Sequence, residues 1–297
     1  MWQRILSFFM AIVAFFMQLL GLNGKKTYSE FRDISYGSDV NQTVDLVLPT
    51  NVGSETSLFV YIHGGSWVAG DKEEGRNLTT YCASDLKLAA ASLNYRLLTE
   101  GGSVHCSEML DDITAGIKAA VAKAREQGVT IKDVAIGGNS AGGHLTLLYA
   151  YSRADESPVP IKFIFDEVGP SDFSGRTFLD ACTGMDRSTA LLILSELSGI
   201  TVTDENIESD GVQKVLRAIS PVTYVNASSV PTVMAYGMKD ELVTYENALS
   251  LDRALTEAGV THDFFTFPNS GHNLDADEDV RKAFNDKLLE YMQTYLR

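Results

Sequence analysis

The chain has 297 residues, 45% of them hydrophobic, enough for one large α/β domain or two small ones. Lysine and arginine number 24 against 39 aspartates and glutamates, a formal charge of −15. No basic patch interleaved with aromatics occurs, and a surface of that sign repels phosphate backbones, which excludes nucleic acid as a partner class.

The first residues stand apart. Behind Arg4, the run from Ile5 to Leu22 is almost unbroken in its apolar character, and it exits through Asn23-Gly24-Lys25-Lys26. One basic residue, a long apolar stretch and a polar exit are the parts of a secretory signal or a membrane anchor. Residues 1–24 are therefore set outside the fold, the folded domain is placed at 28–297, and export is expected, with membrane attachment through 5–22 if the leader is retained.

Past the leader, the chain alternates strand and helix signals. Val44-Asp45-Leu46-Val47-Leu48 alternates apolar and polar and predicts an early edge strand or hairpin arm. Leu58 to Ile62 is a continuous apolar run, as in a strand covered on both faces. A third strand runs from Leu88 through Leu93. Met109, Leu110, Ile113, Ile117 and Val121 then recur at helical spacing, in a helix that ends near Gly128. Lys132 to Ile136 is the next strand, His144 to Ala150 opens a helix, and further strands are read at Phe163–Phe165, Thr232–Tyr236 and Phe264–Phe267. An amphipathic helix from Val280 to Leu296 closes the chain. Repeated strand–helix units predict a doubly wound, mostly parallel sheet with helices on both faces. The stretch from Asp172 to Pro231 carries no clear strand and is too long for a plain connection. It predicts helices of its own, so 173–230 is read as a lid or insertion, with one extended helical crossover as the alternative.

Three motifs carry chemistry. Gly138-Asn139-Ser140-Ala141-Gly142 lies between a predicted strand and a predicted helix, the context of a nucleophile elbow. A turn that tight lifts the serine oxygen clear of the sheet, which assigns Ser140 as nucleophile. His63-Gly64-Gly65-Ser66-Trp67 follows the strand ending at Ile62. Acyl transfer develops negative charge on a carbonyl oxygen that fixed donors must meet. The N–H groups of Gly64 and Gly65, with that of Ala141, are the expected oxyanion hole. Asp240 and His272 each follow an apolar strand, completing the order Ser…Asp…His, with His272 as general base and Asp240 fixing its tautomer. Glu241 is the rival acid.

The other histidines fit plainer roles. His63 braces the loop, His144 packs in the elbow helix, and His105 and His262 lack a comparable loop context. No His-x-His or His-Glu-x-x-His pairing occurs, so neither a metal nor a cofactor is expected. Cys82, Cys106 and Cys182 read as small buried residues, with Cys82–Cys106 and Cys106–Cys182 both open as a single disulfide.

Together these motifs, with Gly237-Met238-Lys239-Asp240, Ser270-Gly271-His272 and the opening from Asp33-Ile34-Ser35-Tyr36-Gly37 to Pro49, resemble the esterase/lipase branch of the α/β-hydrolase superfamily. Within that branch they are similar to bacterial feruloyl-esterase-like carboxylesterases. The resemblance covers about residues 28–297. It implies hydrolysis of small-molecule or carbohydrate-linked carboxylic esters without a cofactor. Ser66 stands where the fuller His-Gly-Gly-Gly form has glycine, which leaves the exact donor set of the oxyanion hole open. An arylformamide substrate, a serine peptidase on the same fold and a non-enzymatic binding module are the alternatives.

Overall fold

The computed structural model describes residues 27–296. Eight strands form one sheet: β1 (Tyr28–Ser35), β2 (Thr43–Pro49), β3 (Glu55–Ile62), β4 (Ala89–Leu93), β5 (Thr130–Asn139), β6 (Ile161–Glu167), β7 (Thr232–Gly237) and β8 (His262–Phe267). Their spatial order is β1-β2-β4-β3-β5-β6-β7-β8. β2 runs antiparallel to both β1 and β4, and every later pairing is parallel. Val44–Leu48 is thus a hairpin arm rather than an edge. The edge is β1, which has too few apolar residues to announce itself: its burial is intermittent, whereas β2 is buried from Val44 onward.

Eight helices accompany the described strands: α1 (Arg76–Ser84), α2 (Cys106–Glu126), α3 (Ala141–Ser152), α4 (Thr177–Ala181), α5 (Arg187–Ser198), α6 (Asp210–Ala218), α7 (Tyr245–Glu257) and α8 (Glu278–Tyr295). Adjacent residues of β8 show how both faces are covered. Phe264 stacks on Tyr245 of α7 at 5.8 Å, while Phe265 meets Phe284 of α8 edge-on at 5.7 Å. Successive strand side chains point to opposite faces, so α7 and α8 lie on opposite sides of the sheet.

β3, β5 and α3 form the inner core. Leu58, Phe59, Ile62, Val134, Ala135 and Ile136 are fully buried, and every residue of α3 from Ala141 to Tyr151 is buried. A helix apolar all round has to be enclosed on all sides, which explains why its opening lacks the usual polar face. The connection from β3 to β4 runs one way along the sheet and that from β5 to β6 the other. Such reversals put a crevice at the carboxyl ends of the two neighbouring strands, here β3 and β5. The two glycine-rich motifs emerge at those ends.

Helices α4, α5 and α6 all fall between β6 and β7, as the strand-free stretch predicts. Arg176 and Arg187 both pair with Asp204, and Asp180 pairs with both arginines, cross-linking the insertion at its surface. Among the described residues no helix is long and apolar enough to cross a membrane. The leader read at 1–24, including 5–22, lies outside them.

Candidate active site

Ser140 sits between the last residue of β5 and the first of α3, with φ 52° and ψ −120°. A non-glycine residue at positive φ is uncommon and persists only where its surroundings hold it. Here Ser140 N–H donates to the Glu167 carbonyl at the end of β6 (2.8 Å), and the Ser140 carbonyl accepts from His144 N–H (2.9 Å). Glycine at 142 is required by close approach: a Cβ there would stand 2.5 Å from the His63 carbonyl oxygen.

His272 lies in the loop after β8. Its Nε2 is 2.9 Å from Ser140 Oγ, and its Nδ1 is 2.7 Å from Asp240 Oδ2. Asp240 follows β7, and its side chain is fully shielded from solvent. Its other oxygen accepts the N–H groups of Leu242 (2.8 Å) and Val243 (2.9 Å). A carboxylate offers only acceptors, so the imidazole proton facing it is on Nδ1 and Nε2 is left to accept from the serine hydroxyl. Lys239 N–H donates to the Ser270 carbonyl (3.0 Å), tying the loop of Asp240 to the loop of His272. Ser270 Oγ in turn donates to Asp277 (2.6 Å). Glu241 is exposed: only its backbone carbonyl is engaged, accepting from Gly184 N–H, and its carboxylate makes no bond to His272.

The second loop folds over the elbow. Gly65 has φ 107°, and Ser66 and Trp67 follow at 53° and 63°. Among the described residues, none of the N–H groups of Gly64, Gly65 and Ala141 donates to a protein acceptor. His63 stacks on Tyr95 at 4.4 Å, its Nδ1 meets the Gly64 carbonyl (2.7 Å), and burial lowers its pKa. It braces the loop and does not reach Ser140's partners. His144 is buried inside α3 and His262 pairs with Asp252. His105 caps α2. Cys82, Cys106 and Cys182 are all free and buried, so neither open disulfide forms. No group of three or more His, Cys, Asp or Glu among the described residues is disposed to hold a metal ion.

Ser140 opens into an apolar pocket of about 480 Å³, counting its solvent-facing mouth. Trp67 and Val243 line it together with Phe173, Phe178, Ile193 and Leu194 of the insertion. The sequence gives none of these lining residues a role of its own. Trp67 belongs to the His63–Trp67 motif, but Phe173 and Phe178 have no local signature, since only the path of the chain over the site brings them there.

The BD-FAE family model matches residues 44–255, which is more than half of the chain. The chain belongs to the BD-FAE family. Its match to the carboxylic ester hydrolase LipN of Mycobacterium tuberculosis is 31% identical over 114 residues, covering 37% of this chain and 30% of LipN. Esterase LipQ of the same organism is 24% identical over 236 residues, 77% of this chain and 53% of LipQ. The chain thus spans at most about half the length of these two curated relatives. Among solved structures, a bacterial heroin esterase superposes with a TM-score of 0.70 at 21% identity, covering 95% of this chain and 90% of the other. The fold is that of an α/β-hydrolase.

Proposed function

We propose that this BD-FAE family member is a serine hydrolase of carboxylic esters, acting through an acyl-enzyme. The observation that carries the reading is the unbroken chain Ser140 Oγ–His272–Asp240 at 2.9 and 2.7 Å beside an apolar pocket. The names of LipN and LipQ favour the same reaction. Ser140 Oγ attacks the ester carbonyl as His272 Nε2 takes its proton, and Asp240 stabilises the imidazolium that results. The N–H groups of Gly64, Gly65 and Ala141 receive the oxyanion. His272 then protonates the departing alcohol, and a water activated by the same nitrogen releases the acid. The narrow apolar pocket suits a small apolar acyl group, and the alcohol part leaves toward solvent, where a sugar is tolerated.

The test is turnover of p-nitrophenyl acetate and butyrate against an N-formyl arylamine and a peptide anilide. Ester cleavage by the wild type, reduced by several orders of magnitude in Ser140→Ala, is expected. Equal rates in the two proteins, or cleavage of the amides alone, would sink the proposal. The leader supports a second part of it, export with retention or cleavage at 1–24. Fractionation of cells expressing the full chain should place the activity outside the cytoplasm, and wholly cytoplasmic activity would refute that part.

A further inference from the structure

The oxyanion loop turns through two consecutive non-glycine residues at positive φ, Ser66 and Trp67. Such a corner costs energy unless something outside the loop fixes it. What fixes this one is the indole of Trp67, which is only 5% exposed. Its Nε1–H donates to His144 Nδ1 (3.2 Å), and its ring meets the imidazole edge-on at 5.3 Å. Phe173, a wall of the acyl pocket, packs against both rings, at 5.1 Å from His144 and 6.1 Å from Trp67. The other imidazole nitrogen, Nε2, lies 2.8 Å from the carbonyl oxygen of Ile219, the C-cap residue that follows α6.

Indole N–H can only donate, and a backbone carbonyl can only accept. The imidazole must therefore be neutral, with its proton on Nε2. Burial lowers the pKa of His144 to about 4, in keeping with that demand. One fully buried side chain, a single turn into the elbow helix, thus joins three elements that are remote in sequence: the oxyanion loop, the nucleophile's helix and the C-terminal end of α6 within the insertion.

We propose that His144 is a positioning residue for ester cleavage. It touches no substrate. It holds the Ser66–Trp67 corner against the elbow at the separation that lets the N–H groups of Gly64, Gly65 and Ala141 meet one oxygen. The proposal rests on the ester-hydrolase reading above. It differs from a plain packing role in what it predicts, because a packing histidine would change stability and leave turnover per folded site intact.

His144→Phe keeps a ring and removes both hydrogen bonds, whereas His144→Gln can keep both, since an amide oxygen accepts from the indole and its NH₂ donates to Ile219. Folded sites are counted by the burst with a p-nitrophenyl phosphonate. On p-nitrophenyl acetate, His144→Phe should lose about ten- to a hundredfold in kcat, less than or near the cost of deleting one oxyanion donor, with KM within about threefold. Inhibition by a trifluoromethyl ketone, which presents a tetrahedral oxyanion on Ser140, should weaken by the same factor as kcat/KM. His144→Gln should recover to within about threefold of wild type, and adding Trp67→Phe to His144→Phe should cost little more than the first change alone. Wild-type kcat in folded His144→Phe, or a loss confined to KM or to Tm, would overturn the proposal. Should His144→Phe not fold, Trp67→Phe decides: a several-fold loss in both kcat and ketone affinity supports the positioning role, and no loss in either refutes it. If the wild type cleaves no ester at all, the broader reading fails before this comparison begins.

Discussion

Replacing Gly142 by alanine sets two effects against each other, and the structure supplies the sizes. Gly142 lies in the first turn of α3, where alanine is the better helix former by up to about 1 kcal/mol. The added methyl, however, would lie 2.5 Å from the His63 carbonyl oxygen and 2.7 Å from the Ile62 carbonyl carbon, and closer still to the Ile62 oxygen. Ordinary contact begins near 3.4 Å, so against His63 alone the two elements must part by 3.4 − 2.5 = 0.9 Å. Both obstacles are backbone at the end of β3 and cannot rotate aside. Overpacking of this kind typically costs about 1–3 kcal/mol, which outweighs the propensity gain. The displacement also falls between Ser140 and the loop that carries Gly64 and Gly65. A misplacement of about 1 Å at reacting groups can cost about a hundredfold. Gly142→Ala should therefore lower kcat on p-nitrophenyl acetate by about one to two orders of magnitude and lower Tm by a few degrees, roughly 2–4 °C for each kcal/mol lost. Gly211→Ala is the control, since nothing lies within 4 Å of its Cβ in α6, and it should raise stability by about 0.5–1 kcal/mol without touching activity. Titrated kcat and calorimetric Tm decide the matter. Wild-type values of both in Gly142→Ala would refute the reasoning.

Asp240→Asn should keep the fold and lose most of kcat/KM, about four orders of magnitude where the wrong imidazole tautomer is trapped, while Glu241→Gln stays near wild type; the reverse result would reassign the acid. Phe178 lines both the apolar pocket at Ser140 and the neighbouring cleft beside Asp172 and Arg253, so Phe178→Ala should join them. Two further methylenes buried at about 0.8 kcal/mol each would raise the octanoate-to-hexanoate preference more than tenfold, and an unchanged chain-length profile would show that Phe178 does not end the pocket. Asp166 is fully buried and its pKa is pushed up to about 8, chiefly by burial. Tyr236 Oη lies 2.5 Å from Asp166 Oδ2 and 2.6 Å from the Gly169 carbonyl, and one phenol hydrogen can serve only one of them, which favours the protonated acid as donor to the phenol. A folded-state pKa above the unfolded value of 3.8 means that the stabilisation is complete below about pH 4 and is lost as pH rises toward 8, by at most about 1.4 kcal/mol per pH unit. Urea unfolding of Asp166→Asn and wild type between pH 5 and 8 should show the wild type losing ground, whereas parallel curves would contradict the assignment.

Much of this molecule is legible locally. Buried parallel strands are continuous apolar runs because both faces are covered, so β3, β5, β6 and β7 announce themselves, and the elbow and the glycine loop carry their own turn chemistry. Ser140, Asp240 and His272 stand out because each follows a strand whose end is marked by composition. β1 does not, because an edge strand has one neighbour and only part of its surface to bury. Nor does composition separate Asp240 from Glu241: only the turn after β7 aims one carboxylate inward, onto the N–H groups of Leu242 and Val243, and leaves the other in solvent. The pocket is further from reach, since Trp67, Phe173, Phe178 and Leu194 come from separate segments and meet only when the insertion folds back over β3 and β5. His144 makes the same point. The sequence places it in a buried helix, which accounts for its packing. Its two hydrogen bonds, to a loop before it and to a carbonyl at the end of α6, exist only because tertiary structure brings a donor and an acceptor to opposite edges of one ring.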